Sequence, residues 1–252
     1  MRRHATTLQS RLTRAANPSL HPHLAPLTVR PLLRSCAPSR RRYPNGMQHT
    51  NNALIWIDCE MTGLDETRDR ILEIACYITD GSLAHVDSSG VHRVIRQTPA
   101  TMAGMNDWCR EVHGRSGLTA RCLDAAVAVT EEQAAGEVVE YIRRYVPHPH
   151  TALIAGNSIH ADRKFLAKEP WAGILEMLHY RIFDVSSLKE AASRWAPEEV
   201  LRDVPRKMTR HTAREDILES IAEARFYKDR VFGPRNGAAV RPDPVLVEGS
   251  KD

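Results

Sequence analysis

Apolar positions along the chain follow two rhythms. Leu54-Ile55-Trp56-Ile57, Ile71 to Ile78 and Val91 to Ile95 are short runs rich in β-branched and aromatic residues. Polar loops at Gly63 to Arg70 and Asp80 to Gly90 separate them, which predicts three strands joined as an antiparallel meander. From Thr130 the period lengthens. Thr130 and Gln133 have capping-box spacing, and Val138, Val139, Ile142 and Val146 supply a helical stripe that Pro147 ends. Met102 to Cys122 reads as mixed helix and loop. A fourth strand is expected over Ala152 to Ala155, a helix over Ser158 to Leu166, a fifth strand over Tyr180 to Val185, and a helix from Ser186 to Trp195 before Pro197. The last helix is predicted to begin at Thr212, whose T-x-x-E spacing to Glu215 again suggests a capping box, with Ile217, Ile221 and Ala224 facing the core. Three early strands, then strand and helix alternating twice, imply an α/β domain built on a mixed five-stranded sheet flanked by helices.

Composition changes this picture at the ends. The net charge of +4 is not spread over the domain: residues 1–50 hold nine Arg, no Lys and no acid, leaving 26 basic against 31 acidic residues beyond them. A leader over residues 1–46, rich in Arg, Ser, Thr, Ala and Pro, has the composition of a mitochondrial transit peptide, implying the matrix. A disordered basic tail would share that composition, and Met47 could start a leaderless cytosolic form. Residues 51–232 form the expected folded domain, and 233–252 are expected to be a disordered tail. No apolar run approaches the roughly 20 residues of a membrane span. Five cysteines without a C-x-x-C pair or Cys/His cluster argue against a zinc ribbon or a disulfide framework.

Candidate chemistry starts where the first strand runs into Asp58 and Glu60. At spacing i, i+2 on an extended chain the two carboxylates leave one face, about 6.5 to 7 Å apart at Cβ. Such a pair repels unless a cation with oxygen preference lies between its members, or unless the strand end opens to solvent. Asp162 falls in the first turn of its helix, where an acid is favoured whatever its task. Asp216 lies one turn inside the last helix, and His211 precedes it outside the helix, able to fold back or simply to face solvent.

Taken together, Trp56 to Leu64, Gly156 to Leu166, His179 to Ser186 and His211 to Asp216 closely resemble, in collinear order, the oligoribonucleases of the DEDDh branch of 3′ to 5′ exonucleases. The resemblance implies a ribonuclease H-like fold and a homodimer that degrades single-stranded RNA of about two to five nucleotides to nucleoside 5′-monophosphates. It also implies two Mg²⁺ or Mn²⁺ ions per site held by Asp58, Glu60, Asp162 and Asp216, with His211 as general base. Hard oxygen donors suit those ions, and an imidazole can accept a proton near neutral pH. By the same resemblance Leu64 and Trp108 would stack on bases, the alternative for Trp108 being a core aromatic. Ser158 and His113 would touch phosphate or the 3′ end. Tyr180 and Arg181 would reach from the partner subunit to cap the 5′ phosphate, a task suited to a forked guanidinium.

Two rivals remain on sequence grounds. A DNA-directed exonuclease of the same fold would carry the same acids, but an acidic domain lacks the charge for gripping long strands. A catalytically inactive nucleic-acid-binding module should have lost an acid or the His, and all five residues are present.

Overall fold

Ala53 to Ile57 are buried on both faces of strand β1 (Leu54–Met61), so β1 can only be a central strand. The computed structural model describes residues 52–205 and 212–233. After β1 come β2 (Ile71–Thr79) and β3 (Val91–Val94), then helices α1 (Pro99–Ala103), α2 (Asp107–Arg115), α3 (Leu118–Leu123) and α4 (Glu131–Tyr145). Strand β4 (Leu153–Gly156) leads into α5 (His160–Leu166) and α6 (Ala172–Met177). The chain continues through β5 (His179–Asp184), α7 (Val185–Trp195), α8 (Glu198–Leu201) and α9 (Ala213–Arg230).

The five strands lie in the order β3-β2-β1-β4-β5. β1, β2 and β3 form the antiparallel meander, whereas β4 and β5 join parallel to β1. The mixed five-stranded sheet is therefore as expected. One face carries Ile55, Ile57, Cys59, Ile74, Cys76 and Ile78 against α4 and α5. The other carries Leu54, Trp56, Ala75 and Tyr77 against Ile217, Ile221 and Ala224 of α9. Because the side-chain period of a strand is two, Asp58 and Glu60 must continue the Trp56 face, the one that α9 covers.

Several details differ from expectation. α6 and α8 were not legible as helices, and Met102 to Cys122 resolves into the end of α1, all of α2 and most of α3. α5 begins at His160 rather than Ser158, because Ser158 takes a positive φ of 54° at the turn out of β4. Thr130 caps α4 as expected by accepting the Gln133 N–H. Thr212 does not do the same for α9: its hydroxyl donates to Glu215 Oε2 at 3.1 Å and accepts no helical N–H. The leader, Met47, His211 and the segment 234–252 lie outside the described residues. Among the described residues, no helix is long and apolar enough to cross a membrane.

Candidate active site

Alternation along β1 sends Trp56, Asp58 and Glu60 toward α9, and the cross-strand partner of Asp58 is Ala75, whose methyl leaves that face open. Asp216 sits in the first turn of α9, beside Ile217, which packs in the core. One carboxylate oxygen from each of Asp58, Glu60 and Asp216 lies within 4.8 Å of the others. Residues more than 150 positions apart in sequence thus converge on one point. Asp162 is outside that trio. It is buried on α5, and its Oδ1 accepts the Cys59 N–H at 2.9 Å, the peptide between Asp58 and Glu60.

Three carboxylates at this spacing repel by roughly 3 kcal/mol per pair at an effective dielectric near 20. The chain holds protons in response. Burial, followed by the charges of Asp216, Glu73 and Asp162, pushes Glu60 up to about 8. Burial also raises Asp162, to about 7, against the opposing pull of the Cys59 N–H. An all-oxygen donor set that is not fully ionised at neutral pH by itself is the setting a hard divalent cation relieves. The donor chemistry and the residual repulsion both fit such a metal.

Around the acids, His113 is buried, with Nε2 donating to the Met61 carbonyl at 2.9 Å and Nδ1 4.0 Å from Glu60 Oε2. It therefore docks α2 on the end of β1 and backs Glu60. Trp108, on the same helix, is 62% exposed, and Leu64, three residues beyond Met61, is 78% exposed. The core-aromatic reading of Trp108 does not hold. Ser158 is exposed, with its N–H bonded to Asp184 Oδ1 and Ser186 Oγ at 2.9 and 2.8 Å. This fixes the turn that launches α5 and Asp162.

Tyr180 and Arg181 are not brought to the acids of their own chain. His179 is level with Leu153 and Leu153 with Leu54, so the two residues stand at the start of β1, about 15 Å or more along the strands from Glu60. They project from the edge strand as a unit: Tyr180 is exposed, stacks on His179 at 4.4 Å and lies under the Arg181 guanidinium at 5.0 Å.

Sequence reasoning missed Glu73. It lies opposite Glu60 on β2, fully buried, with His92 Nε2 and Arg121 Nη1 each 3.0 Å from its Oε1. Its Oε2 accepts the Ala213 N–H at 3.1 Å. An acid between Leu72 and Ile74 in an otherwise apolar strand was the available signal.

Known proteins resemble this chain over most of its length. The Exonuclease family (RNase_T) matches residues 55–224. A Saccharomyces cerevisiae protein named mitochondrial oligoribonuclease is 47% identical over 187 residues, covering 72% of this chain and 68% of that protein. The Homo sapiens mitochondrial oligoribonuclease is 42% identical, covering 71% and 73%. A Mycobacterium tuberculosis oligoribonuclease is 44% identical, covering 79% and 90%. Among solved structures, E. coli exonuclease I in complex with a dA16 oligonucleotide superposes with a TM-score of 0.55 at 15% identity. That superposition covers 71% of this chain but 41% of exonuclease I, and it speaks to the fold alone.

Proposed function

The chain belongs to the exonuclease family and, within it, to the oligoribonucleases, 3′ to 5′ exoribonucleases, and on that premise we propose that it degrades very short single-stranded RNA to nucleoside 5′-monophosphates with two divalent cations. The observation that carries this reading is the trio Asp58, Glu60 and Asp216, whose oxygens approach within 4.8 Å and whose Glu60 holds its proton to about pH 8.

Asp58, Glu60, Asp162 and Asp216 are assigned as the ligands of two Mg²⁺ or Mn²⁺ ions. When bound, those ions supply a more acidic water and charge stabilisation at the phosphate and leaving oxygen. His211 is assigned to take the proton of the attacking water. The rest of the chain holds the substrate. Leu64 and Trp108 offer apolar and aromatic surface that grips any base, which suits a degrader without sequence preference. Ser158 is assigned to the phosphate or 3′ end; His113, expected to share that contact, is buried with its Nε2 on the Met61 carbonyl and is assigned instead to holding Glu60 in register. Tyr180 and Arg181 are assigned to the partner's site in a homodimer, because they stand too far along the sheet to serve their own. The edge strand β5, with exposed Tyr180 and Ile182, is a surface such a partner could cover. A pocket closed by a partner's guanidinium would favour substrates of about two to five nucleotides.

The naming of the yeast and human relatives supports mitochondrial localisation. We assign residues 1–46 as the transit segment, residues 51–232 as the exonuclease domain and 233–252 as a tail, with a matrix form and a second, cytosolic form from Met47. Incubating the protein with 5′-labelled RNA dinucleotides and with RNA of about 20 nucleotides tests the activity. Faster conversion of the dinucleotide to mononucleotides in Mg²⁺, abolished by EDTA, is expected. Equal rates on both lengths would refute the length preference, and EDTA-resistant turnover would refute the metal assignment.

A further inference from the structure

We infer that Glu73 is a positioning residue for the reaction: it clamps the first turn of α9 so that Asp216 meets Asp58 and Glu60. The inference rests on the metal-dependent reading above. A carboxylate buried this deeply costs several kcal/mol unless it is paired and hydrogen-bonded, so its partners indicate what it is kept for. His92 on β3 and Arg121 on α3 both approach Oε1, which settles the charge. Oε2 is given to a different element, the N–H of Ala213, the first residue of α9. Negative charge at a helix N-terminus is favourable both for the unpaired N–H groups and for the helix dipole.

Among the described residues, the Thr212 side chain does not cap that end of α9. Its hydroxyl turns to the Glu215 side chain, and Glu73, 140 positions upstream, supplies an acceptor for the Ala213 N–H. The turn so held contains the ligand: the Asp216 N–H bonds the Thr212 carbonyl at 3.0 Å. Farther along α9 other contacts operate, with Arg225 and Lys228 bonded to the carbonyls of Leu83 and Ser82, and Glu223 to Asn157 and Tyr227. In the first turn Arg214 adds a bond to the Tyr77 hydroxyl, on the strand that carries Glu73. Glu73 is also the cross-strand partner of Glu60, so one short path ties both sides of the trio together.

The test compares Glu73→Ala, Glu73→Gln and Ala213→Pro with the wild-type protein. Proline suits the first helical position, and Thr212 is already extended at φ −124° and ψ 133°, so Ala213→Pro removes the N–H donor while leaving the helix able to form. Glu73→Gln keeps an oxygen for that N–H. Calorimetric Mn²⁺ titration of the metal-free proteins and kcat and KM on an RNA dinucleotide are measured below the unfolding temperature of each variant. Misplacing a ligand by about 1 Å can cost up to about a hundredfold, so kcat and Mn²⁺ affinity should fall about tenfold or more in Glu73→Ala and Ala213→Pro, with KM changed less than about threefold. Glu73→Gln should recover part of both losses. If Glu73→Ala does not fold, Ala213→Pro decides. A folded Ala213→Pro protein with wild-type kcat and Mn²⁺ affinity overturns the inference. A wild-type protein inert toward the dinucleotide refutes the functional reading instead, and Mn²⁺ affinity still judges Glu73.

Discussion

Glu60 and Glu73 face each other across the β1/β2 ladder, and their carboxyl groups are driven in opposite directions. Glu60, near Asp58 and Asp216, is pushed up to about 8 by burial and like charge. Burial would raise Glu73 as well, but contact with His92, the Ala213 N–H and the Arg121 charge outweigh it and hold this carboxyl below its usual range. One acid is built to stay charged inside the protein. The other holds its proton past neutral pH.

This difference sets the pH dependence of the metal-free protein. Glu60 and Asp162 keep protons in the folded state up to about 8 and about 7, whereas an unfolded chain releases them near 4.5 and 3.8. The folded state therefore binds more protons across that interval, and by linkage its stability falls as pH rises from about 4.5 to 8. Glu73 has the opposite sign, contributing stability above its unfolded value that is lost only on the acid side. Melting curves in EDTA should show the unfolding temperature declining between pH 5.5 and 8. Mn²⁺, which binds deprotonated ligands, should raise it more at pH 8 than at pH 6. A melting temperature that rises with pH in EDTA would contradict the assignment.

Asp216→Asn should separate activity from stability. Removing one of three crowded carboxylates relieves repulsion in the metal-free protein, so its melting temperature in EDTA should equal or exceed that of the wild type. Turnover of an RNA dinucleotide should fall by about a thousandfold, on the scale expected when metal-borne charge stabilisation worth several kcal/mol is lost. A small loss of turnover would mean that Asp216 is not a ligand.

Trp108→Ala should act on binding. The side chain is 62% exposed, so its removal should change stability by less than about 0.5 kcal/mol. Stacking on a base is worth about 1–3 kcal/mol, which predicts a KM for dinucleotides raised roughly 5- to 160-fold. Thermal melting and steady-state kinetics on the same preparation check both halves.

Arg181→Ala should weaken a 5′-phosphorylated dinucleotide more than a longer oligomer. Because Arg181 stands far from its own acids, mixing Arg181→Ala chains with Asp216→Asn chains should restore activity on dinucleotides: in the mixed dimer, one site has both intact acids and an intact arginine. No recovery on mixing, with exchange of subunits verified, would place Arg181 outside the substrate site.

Much of this was legible in the chain, and the reasons differ by residue. Asp58 and Glu60 were readable because strand alternation is local, and β1 places both on the α9 face. Asp216 was readable from its place beside the apolar stripe of the last helix. Glu73 was not, since its meaning lies in a bond to Ala213, 140 positions away, at a helix start where the local T-x-x-E spacing suggests a capping box instead. The remoteness of Tyr180 and Arg181 from the acids needed the β1–β4–β5 register, which no single segment encodes. His113 could be placed near the site by resemblance, but its burial and its bond to Met61 depend on how α2 packs. Short helices such as α6 and α8 carry too few turns to show a period.

The central claim is that a strand end and a helix bring acids together to hold cations. Calorimetric titration of the metal-free wild-type protein with Mn²⁺ at pH 8 tests it most directly, with Asp58→Asn beside it. Two ions bound per chain, reduced to one or none in the variant, is the predicted result. No measurable binding by the wild type, or binding unchanged in Asp58→Asn, would contradict it.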